Sequence, residues 1–323
     1  MKKKKKILIL GGAGFIGFYL AKDLLENNIL IIDNLSKNKK KIDKDLKNLI
    51  SRKNIKFINK NILDINIKNI PNNFDYIFDL AATLGVRKII KNSFDALSNN
   101  LNLSFKAIEI AKKQKRLKKI FFASTSEIYD GGGKAYKLKY PAKEFYPITI
   151  QDLKHRRTVY VVSKLTAEIL YINSGLPFII GRLHNVYGPR MGLNHVVPEL
   201  ISKFISKKKS IVVFSPNHTR TFCYYTDAIK VIKKLTFSSQ VPKDIYNIGH
   251  PRDEIKIKNL SLKISNFLKI KKKIKFIDDK HNSPSRRLPD MRKTLKYIDK
   301  INFKNLDYGI KKTYLGLRFK WIL

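Results

Sequence analysis

The sequence predicts an α/β fold, a doubly wound parallel sheet followed by a smaller C-terminal α/β lobe. Three observations carry that prediction. Short apolar runs rich in Ile and Phe alternate with longer stretches of helical apolar spacing through the first half of the chain. A glycine-rich turn joins the first run to the first helical stretch. Beyond about Arg182 the texture changes, and Gly, Pro, His and Asn break up shorter elements.

Taken in order, Ile7–Leu10 reads as the first buried strand and Phe15–Asn27 as the helix after it. Ile29–Ile32, Ile55–Ile58 and Tyr76–Leu80 follow as strands, then a helix at Phe94–Gln114 and a strand at Ile120–Ala123. Each run is short and nearly all apolar, as a parallel strand covered by helices on both faces requires. Helix Val159–Ser174 and strand Pro177–Gly181 extend the pattern. In the second lobe, helices are expected near Val197–Ser206 and at Tyr225–Leu235. Tyr246–Gly249 reads as a strand and turn able to rejoin the sheet. The expected division is therefore 1–182 for the sheet domain and mainly 183–323 for the second lobe, with segments such as 226–250 returning to the first.

Composition bounds the partners. The chain has 323 residues, 43% of them hydrophobic and spread along its length, enough to bury a sizeable core. Its formal net charge of +42 invites a nucleic-acid reading. The lysines, however, run everywhere and come mixed with Asn and Ile, whose codons are AT-rich as lysine's are. Genome composition at tolerant surface positions explains them, and no nucleic-acid partner is expected. A basic surface would still draw in an anionic small molecule. One cysteine, Cys223, excludes an internal disulfide framework and fits a reducing cytoplasm. Six histidines show no HxxxH or HxxC spacing, so no metal site is expected. Lys2–Lys6 followed by an apolar run resembles a signal peptide. Three regularly spaced glycines interrupt that run, which is also too short to span a bilayer.

Gly11, Gly14 and Gly17 follow the first strand and open a helix at Phe15 and Ile16. Gly11 would make the tight turn, Gly14 would let backbone approach a pyrophosphate, and Gly17 would let helix and strand pack closely. Asp33, followed by Asn34, ends the second strand 22 residues after Gly11, near the spacing of a ribose-binding acid in a Rossmann-type domain. A carboxylate there accepts bonds from a 2′-hydroxyl and repels a 2′-phosphate, so NAD is expected over NADP. Leu80, Ala81 and Ala82 close the fourth strand with small residues, where a flat cofactor can lie against backbone.

Tyr160 and Lys164 stand four residues apart on one helical face. A tyrosine needs a nearby positive charge to act as a base at neutral pH, and an ammonium supplies it. Thr125, at the end of the fifth strand, adds a third polar group 35 residues upstream of Tyr160.

Together, Gly11–Gly17, Ser124–Tyr129, Tyr160–Lys164, Asn185–Met191 and Thr219–Tyr224 resemble the extended short-chain dehydrogenase/reductase family, in order and spacing, over essentially the whole chain. The match is to its NAD-dependent sugar-nucleotide epimerase, dehydratase and decarboxylase group. The resemblance implies that Thr125 orients the sugar 4-hydroxyl, Tyr160 removes its proton, and Lys164 holds the ribose. It places Asn61 and Ile62 beside adenine, with Asn61 standing where the family usually has Asp. It also implies that Asn185, Arg220 and Arg190 hold the substrate diphosphate, and that the protein is a homodimer through the helices Phe94–Gln114 and Val159–Ser174.

The expected reaction rests on Ser126 and Glu127. The resembling 4,6-dehydratases carry Asp-Glu here, because eliminating water needs an acid as well as a base. Ser-Thr-Ser-Glu is most similar to UDP-glucuronic acid decarboxylases, in which oxidation at carbon four turns the six-carboxylate into a β-keto acid. Arg287, in Ser285–Asp290, matches the arginine of those enzymes. The expectation is thus a UDP-glucuronate decarboxylase, with a UDP-hexose 4-epimerase as the alternative. Leu84-Gly85-Val86 is as similar to epimerases as to decarboxylases. Asp130-Gly131-Gly132-Gly133 and the stretch through His155-Arg156-Arg157 depart from both patterns, and His184 replaces the usual Phe. A reading of another class, a non-catalytic NAD- or RNA-binding protein, has no reason to keep Thr125, Tyr160 and Lys164.

Overall fold

The computed structural model describes residues 3–38, 41–83, 92–131, 138–150, 152–154, 157–278, 284–298 and 301–321. Leu84-Gly85-Val86, Gly132-Gly133 and His155-Arg156 lie outside these residues. The elements along the chain are β1 (Lys6–Leu10), α1 (Phe15–Asp23), β2 (Asn28–Ile32), α2 (Lys44–Ile50), β3 (Ile55–Ile58), β4 (Tyr76–Asp79), α3 (Ser93–Lys112) and β5 (Lys119–Thr125). There follow α4 (Thr158–Ile172), β6 (Phe178–Leu183), β7 (Val186–Tyr187), α5 (Val196–Ile205), β8 (Ser210–Phe214), β9 (Thr219–Arg220), β10 (Cys223–Tyr224), α6 (Tyr225–Phe237) and β11 (Asp244–Ile248). The last are β12 (Ile255–Lys256), α7 (Ile257–Leu268), β13 (Lys273–Ile277), β14 (Arg286–Arg287), α8 (Arg292–Lys296) and α9 (Leu306–Trp321).

The chain divides into two units, Met1–Ile128 with Ile150–Arg182 and Ile229–Tyr246, and Tyr129–Thr149 with Leu183–Ala228 and Asn247–Leu323. The return of 229–246 to the first unit has a visible cause: Lys119, opening β5, donates to the carbonyls of Ser238 and Val241 at 2.6 and 2.7 Å. Residues 129–149 belong instead to the second unit, which a single division at 182 does not provide. Ala142 donates to Leu288 O and accepts from Asp290 N, at 2.8 and 2.9 Å. Those bonds span more than a hundred residues and leave no local pattern.

In the first unit a seven-stranded sheet runs β11-β6-β5-β4-β1-β2-β3. The pairs β1–β2, β2–β3, β1–β4 and β4–β5 are parallel. The order reverses between β1 and β4, and such a switch point opens a crevice at the carboxyl ends of the strands. Ile7–Leu10, Ile77, Phe78 and Ile120–Phe122 are all at most 1% exposed, so apolar surface removed from water on both faces holds the sheet. Helix α1 ends at Asp23, short of the expected Asn27. Asn27 N bonds Leu24 O in a turn, and Asn27 Oδ1 accepts from Lys5 N, tying the turn to the start of β1.

The second unit holds small sheets, β10–β7, β12-β9-β14 and β13–β8, over a core that includes Leu200, Ile201, Phe204, Leu260, Ile264 and Ile310. In β9 and β14, parallel neighbours, Arg220 is in register with Arg287 and Thr219 with Arg286. Side chains in register on parallel strands share a face, so Arg220 and Arg287 lie on one side and Arg286 on the other.

Candidate active site

The glycine turn sits at the switch point. Gly11 has φ +80°, a left-handed conformation, and a Cβ there would lie 2.9 Å from the backbone of Leu80 and Ala81. The turns after β1 and β4 therefore touch, and only glycine fits between them. At Gly17 a Cβ would come within 2.5 Å of Gly11 O and 2.6 Å of Gly12 Cα. At Gly14 a Cβ would meet only Gly11 O, at 3.2 Å, so that side of the turn is open. Asp33 closes β2 and accepts from Ala13 N at 3.0 Å and Leu35 N at 2.7 Å. Burial pushes its carboxyl up, and these backbone bonds pull it down. An open glycine turn beside a half-buried carboxylate at a switch point fits a dinucleotide.

Asn34 is exposed and caps Ser36 N at 3.0 Å. Asn61 caps the short turn Ile62–Asp64 through Leu63 N at 3.3 Å, with Ile62 buried after it. One lone pair of its oxygen is thus engaged locally.

Thr125 ends β5, and Ser126–Tyr129 continue as a 3-10 turn. Thr125 and Ser126 are buried, and Thr125 Oγ1 accepts from Glu127 N at 3.2 Å. Tyr160, in the first turn of α4, is hydrogen-bonded to Thr125. Burial, then the Glu127 carboxylate, push the Tyr160 phenol upward, while the Thr125 bond pulls it down. Glu127 also pairs with Arg157, at the start of α4, at 3.7 Å. Lys164 is buried and donates to Ala123 O at 2.8 Å, its ammonium 4.6 Å from the centre of the Phe122 ring. Burial brings it down to about 8.

The second unit gathers Asn185, Arg220 and Arg287. Asn185 adopts φ +41°, a left-handed conformation that asparagine tolerates, and donates to Thr221 O at 3.0 Å. Arg220 is buried and donates to the carbonyls of Thr219 and Pro284 at 2.7 and 2.6 Å. Arg287 beside it makes a two-pronged ion pair with Asp130, with Nε 3.0 Å from Oδ1 and Nη2 on Oδ2. Arg190 is half-buried after the Gly188-Pro189 turn. Arg157 and Asp130 were not singled out from the sequence as pairing residues, and both fall in the atypical stretch between Tyr129 and Tyr160. Their signal was the departure itself. Among the described residues no three His, Cys, Asp or Glu side chains cluster as metal ligands, and no helix is long and apolar enough to cross a membrane.

A glycine turn at the switch point and a Thr–Tyr–Lys set at the ends of β5 and α4 define an extended short-chain dehydrogenase/reductase that works with NAD. The model of the NAD-dependent epimerase/dehydratase family matches residues 7–249, and the chain belongs to that family. A UDP-N-acetyl-alpha-D-glucosaminuronate decarboxylase of Bacillus cytotoxicus is 33% identical over 255 residues, 76% of this chain and 75% of the relative. Among solved structures, a UDP-N-acetylglucosamine 4-epimerase from Methanobrevibacter ruminantium aligns with TM-score 0.84 at 24% identity, over 98% of this chain and 99% of the other. A UDP-glucuronic acid 4-epimerase from Bacillus cereus, solved with UDP-glucuronic acid and NAD, aligns with TM-score 0.82 at 24% identity, over 98% and 100%. These two likenesses show the fold.

Proposed function

We propose that this enzyme decarboxylates a UDP-linked uronic acid after oxidising it at carbon four. The observation that carries the reading is the Thr125-Ser126-Glu127 corner, hydrogen-bonded to Tyr160 and carrying a serine where an elimination would need an acid. The glycine turn holds the pyrophosphate, Asp33 the ribose, and Leu80–Ala82 with Asn61 and Ile62 the flat rings. Bound NAD supplies the hydride acceptor and a positive ring that favours phenolate at Tyr160. Thr125 orients the 4-hydroxyl and Tyr160 takes its proton. The resulting 4-ketone stands β to the six-carboxylate, which leaves as carbon dioxide. The electron pair of the broken bond passes into an enolate across carbons four and five, which takes a proton from solvent at carbon five and restores the ketone, with Glu127 and Ser126 near the reacting carbons. Tyr160 returns its proton when the ketone is reduced. Asn185, Arg190 and Arg220 hold the diphosphate, Arg220 through the planar fork suited to it. Arg287 acts at the carboxylate.

The 33% identical relative, itself named a uronate decarboxylase, supports this reading. One observation favours 4-epimerisation instead: Asp130 already neutralises Arg287. The two are separated by incubating the enzyme with UDP-glucuronic acid, UDP-N-acetylglucosaminuronic acid and UDP-glucose. Carbon dioxide released from the uronates supports decarboxylation, and an epimer of unchanged mass supports the other. We also infer a homodimer. Phe94, Phe105, Ile169 and Ile172, on the packed pair α3 and α4, are 80%, 54%, 52% and 46% exposed. Phe105→Glu is expected to give a monomer by light scattering, and an unchanged mass would remove the inference.

A further inference from the structure

Among the described residues, the first unit buries four charged side chains on β4, α4 and β6, besides Asp75. Asp79, Lys164, Glu168 and Arg182 are each at most 5% exposed. Two of them satisfy each other: Arg182 Nε and Nη2 donate to the two Glu168 oxygens at 3.0 and 2.7 Å, and Ser124 Oγ donates to the same carboxylate. That leaves one cation and one anion. Among the described residues, the Lys164 ammonium is hydrogen-bonded to the Ala123 carbonyl and lies over the Phe122 ring face, which bear no net charge. Asp79 accepts from Tyr171 Oη at 2.7 Å and from Ala81 N at 3.4 Å, donors that bear none either.

The two are linked through neighbours. Asp79 is in register with Phe122, the ring under the ammonium. That ring stacks on Tyr171 at 4.7 Å and 24°, and Tyr171 lies on the same helix as Lys164 and bonds Asp79. We propose that Asp79 is a positioning residue that supplies the counter-charge holding the Lys164 ammonium in place, with Tyr171 fixing the carboxylate. The proposal rests on the reading of Lys164 as the residue that grips the NAD ribose.

The electrostatics agree with the geometry. Burial raises Asp79 to about 6, against the pull of Lys164 and of the Tyr171 and Ala81 bonds. Burial brings Lys164 down to about 8, with Asp79 and Glu168 pushing it back up. Both are charged between about pH 6 and pH 8. Among the described residues, the other charge acting on the pair is Glu168 on α4, already matched by Arg182 on β6 and by Ser124 on β5. From α3, Asn100 bonds Ser163 of α4 and is uncharged.

An ammonium is lost as pH rises through its pKa, so removing the Asp79 charge brings that loss to lower pH. Asp79→Asn keeps the shape and the acceptor for Tyr171 and deletes the charge. The test is the NAD dissociation constant of nucleotide-stripped protein, titrated calorimetrically from about pH 6 to pH 9. Wild-type affinity is expected to fall off above about pH 8. In Asp79→Asn the fall-off should move down by at least one pH unit, which is about threefold weaker binding near pH 7.5, approaching tenfold near pH 9, and nearly equal binding near pH 6. Tyr171→Phe, which releases the carboxylate to protonate, should shift the fall-off in the same direction, and it carries the test if Asp79→Asn does not fold. An unmoved fall-off, or a loss of equal size at every pH, overturns the proposal. Because the probe is NAD alone, an enzyme that binds NAD but turns over no uronate defeats the proposed reaction and leaves this inference standing.

Discussion

Alanine at Gly14 and at Gly17 should separate cofactor binding from stability. Gly14 has φ −66° and ψ 175°, which alanine adopts freely. Its Cβ would meet one carbonyl at 3.2 Å, so a shift of a few tenths of an ångström suffices. Gly14→Ala should therefore leave the melting temperature within about 2 °C of wild type, while its methyl fills the open side of the turn. NAD affinity should fall at least tenfold, about 1.4 kcal/mol. At Gly17 the methyl would sit 2.5–2.6 Å from backbone that cannot turn aside. Overpacking of that kind costs about 1–3 kcal/mol, and a chain of this size loses roughly 2–4 °C per kcal/mol. Gly17→Ala should lose both stability and NAD. Thermal unfolding with and without NAD, beside calorimetric titration, reads both quantities. Wild-type NAD affinity in Gly14→Ala would refute the placement of the pyrophosphate at this turn.

Tyr160→Phe should reduce turnover by roughly 10²–10⁴, the usual contribution of a general base. The lost Thr125 bond should cost only about 1 kcal/mol in urea unfolding, so wild-type rates in that variant would remove Tyr160 from the mechanism. Arg182→Met strands the Glu168 charge in the core and should cost about 3–5 kcal/mol by the same unfolding measurement. If the basic surface steers an anionic substrate, kcat/KM should fall several-fold between low and moderate salt, read by initial rates; a flat salt dependence would make the +42 charge irrelevant to capture.

The strands were legible because a parallel strand buried on both faces must be apolar throughout, and the glycine turn because its backbone admits no Cβ at Gly11 and Gly17. Thr125, Tyr160 and Lys164 were legible as a spaced set, and the hydrogen bond between Thr125 and Tyr160 accords with that spacing. What stayed hidden depends on distant partners. Residues 129–149 join the second unit through bonds to residues near 247 and 290. The strands β9, β12 and β14 are two residues long and carry no period. Asp79 passed as part of the strand Tyr76–Leu80. An acid inside such a run, like Glu168 on a buried helix face or Arg182 in a buried strand, must find a partner, and that requirement was the available signal.

The most direct test of the proposed chemistry is mass spectrometry on UDP-glucuronic acid deuterated at carbon four, incubated with the enzyme and NAD. A product that has lost carbon dioxide and kept the deuterium is expected, because the hydride leaves carbon four and returns to it. A product of unchanged mass and altered retention would contradict decarboxylation, and loss of carbon dioxide without any passage of deuterium through NAD would contradict oxidation at carbon four.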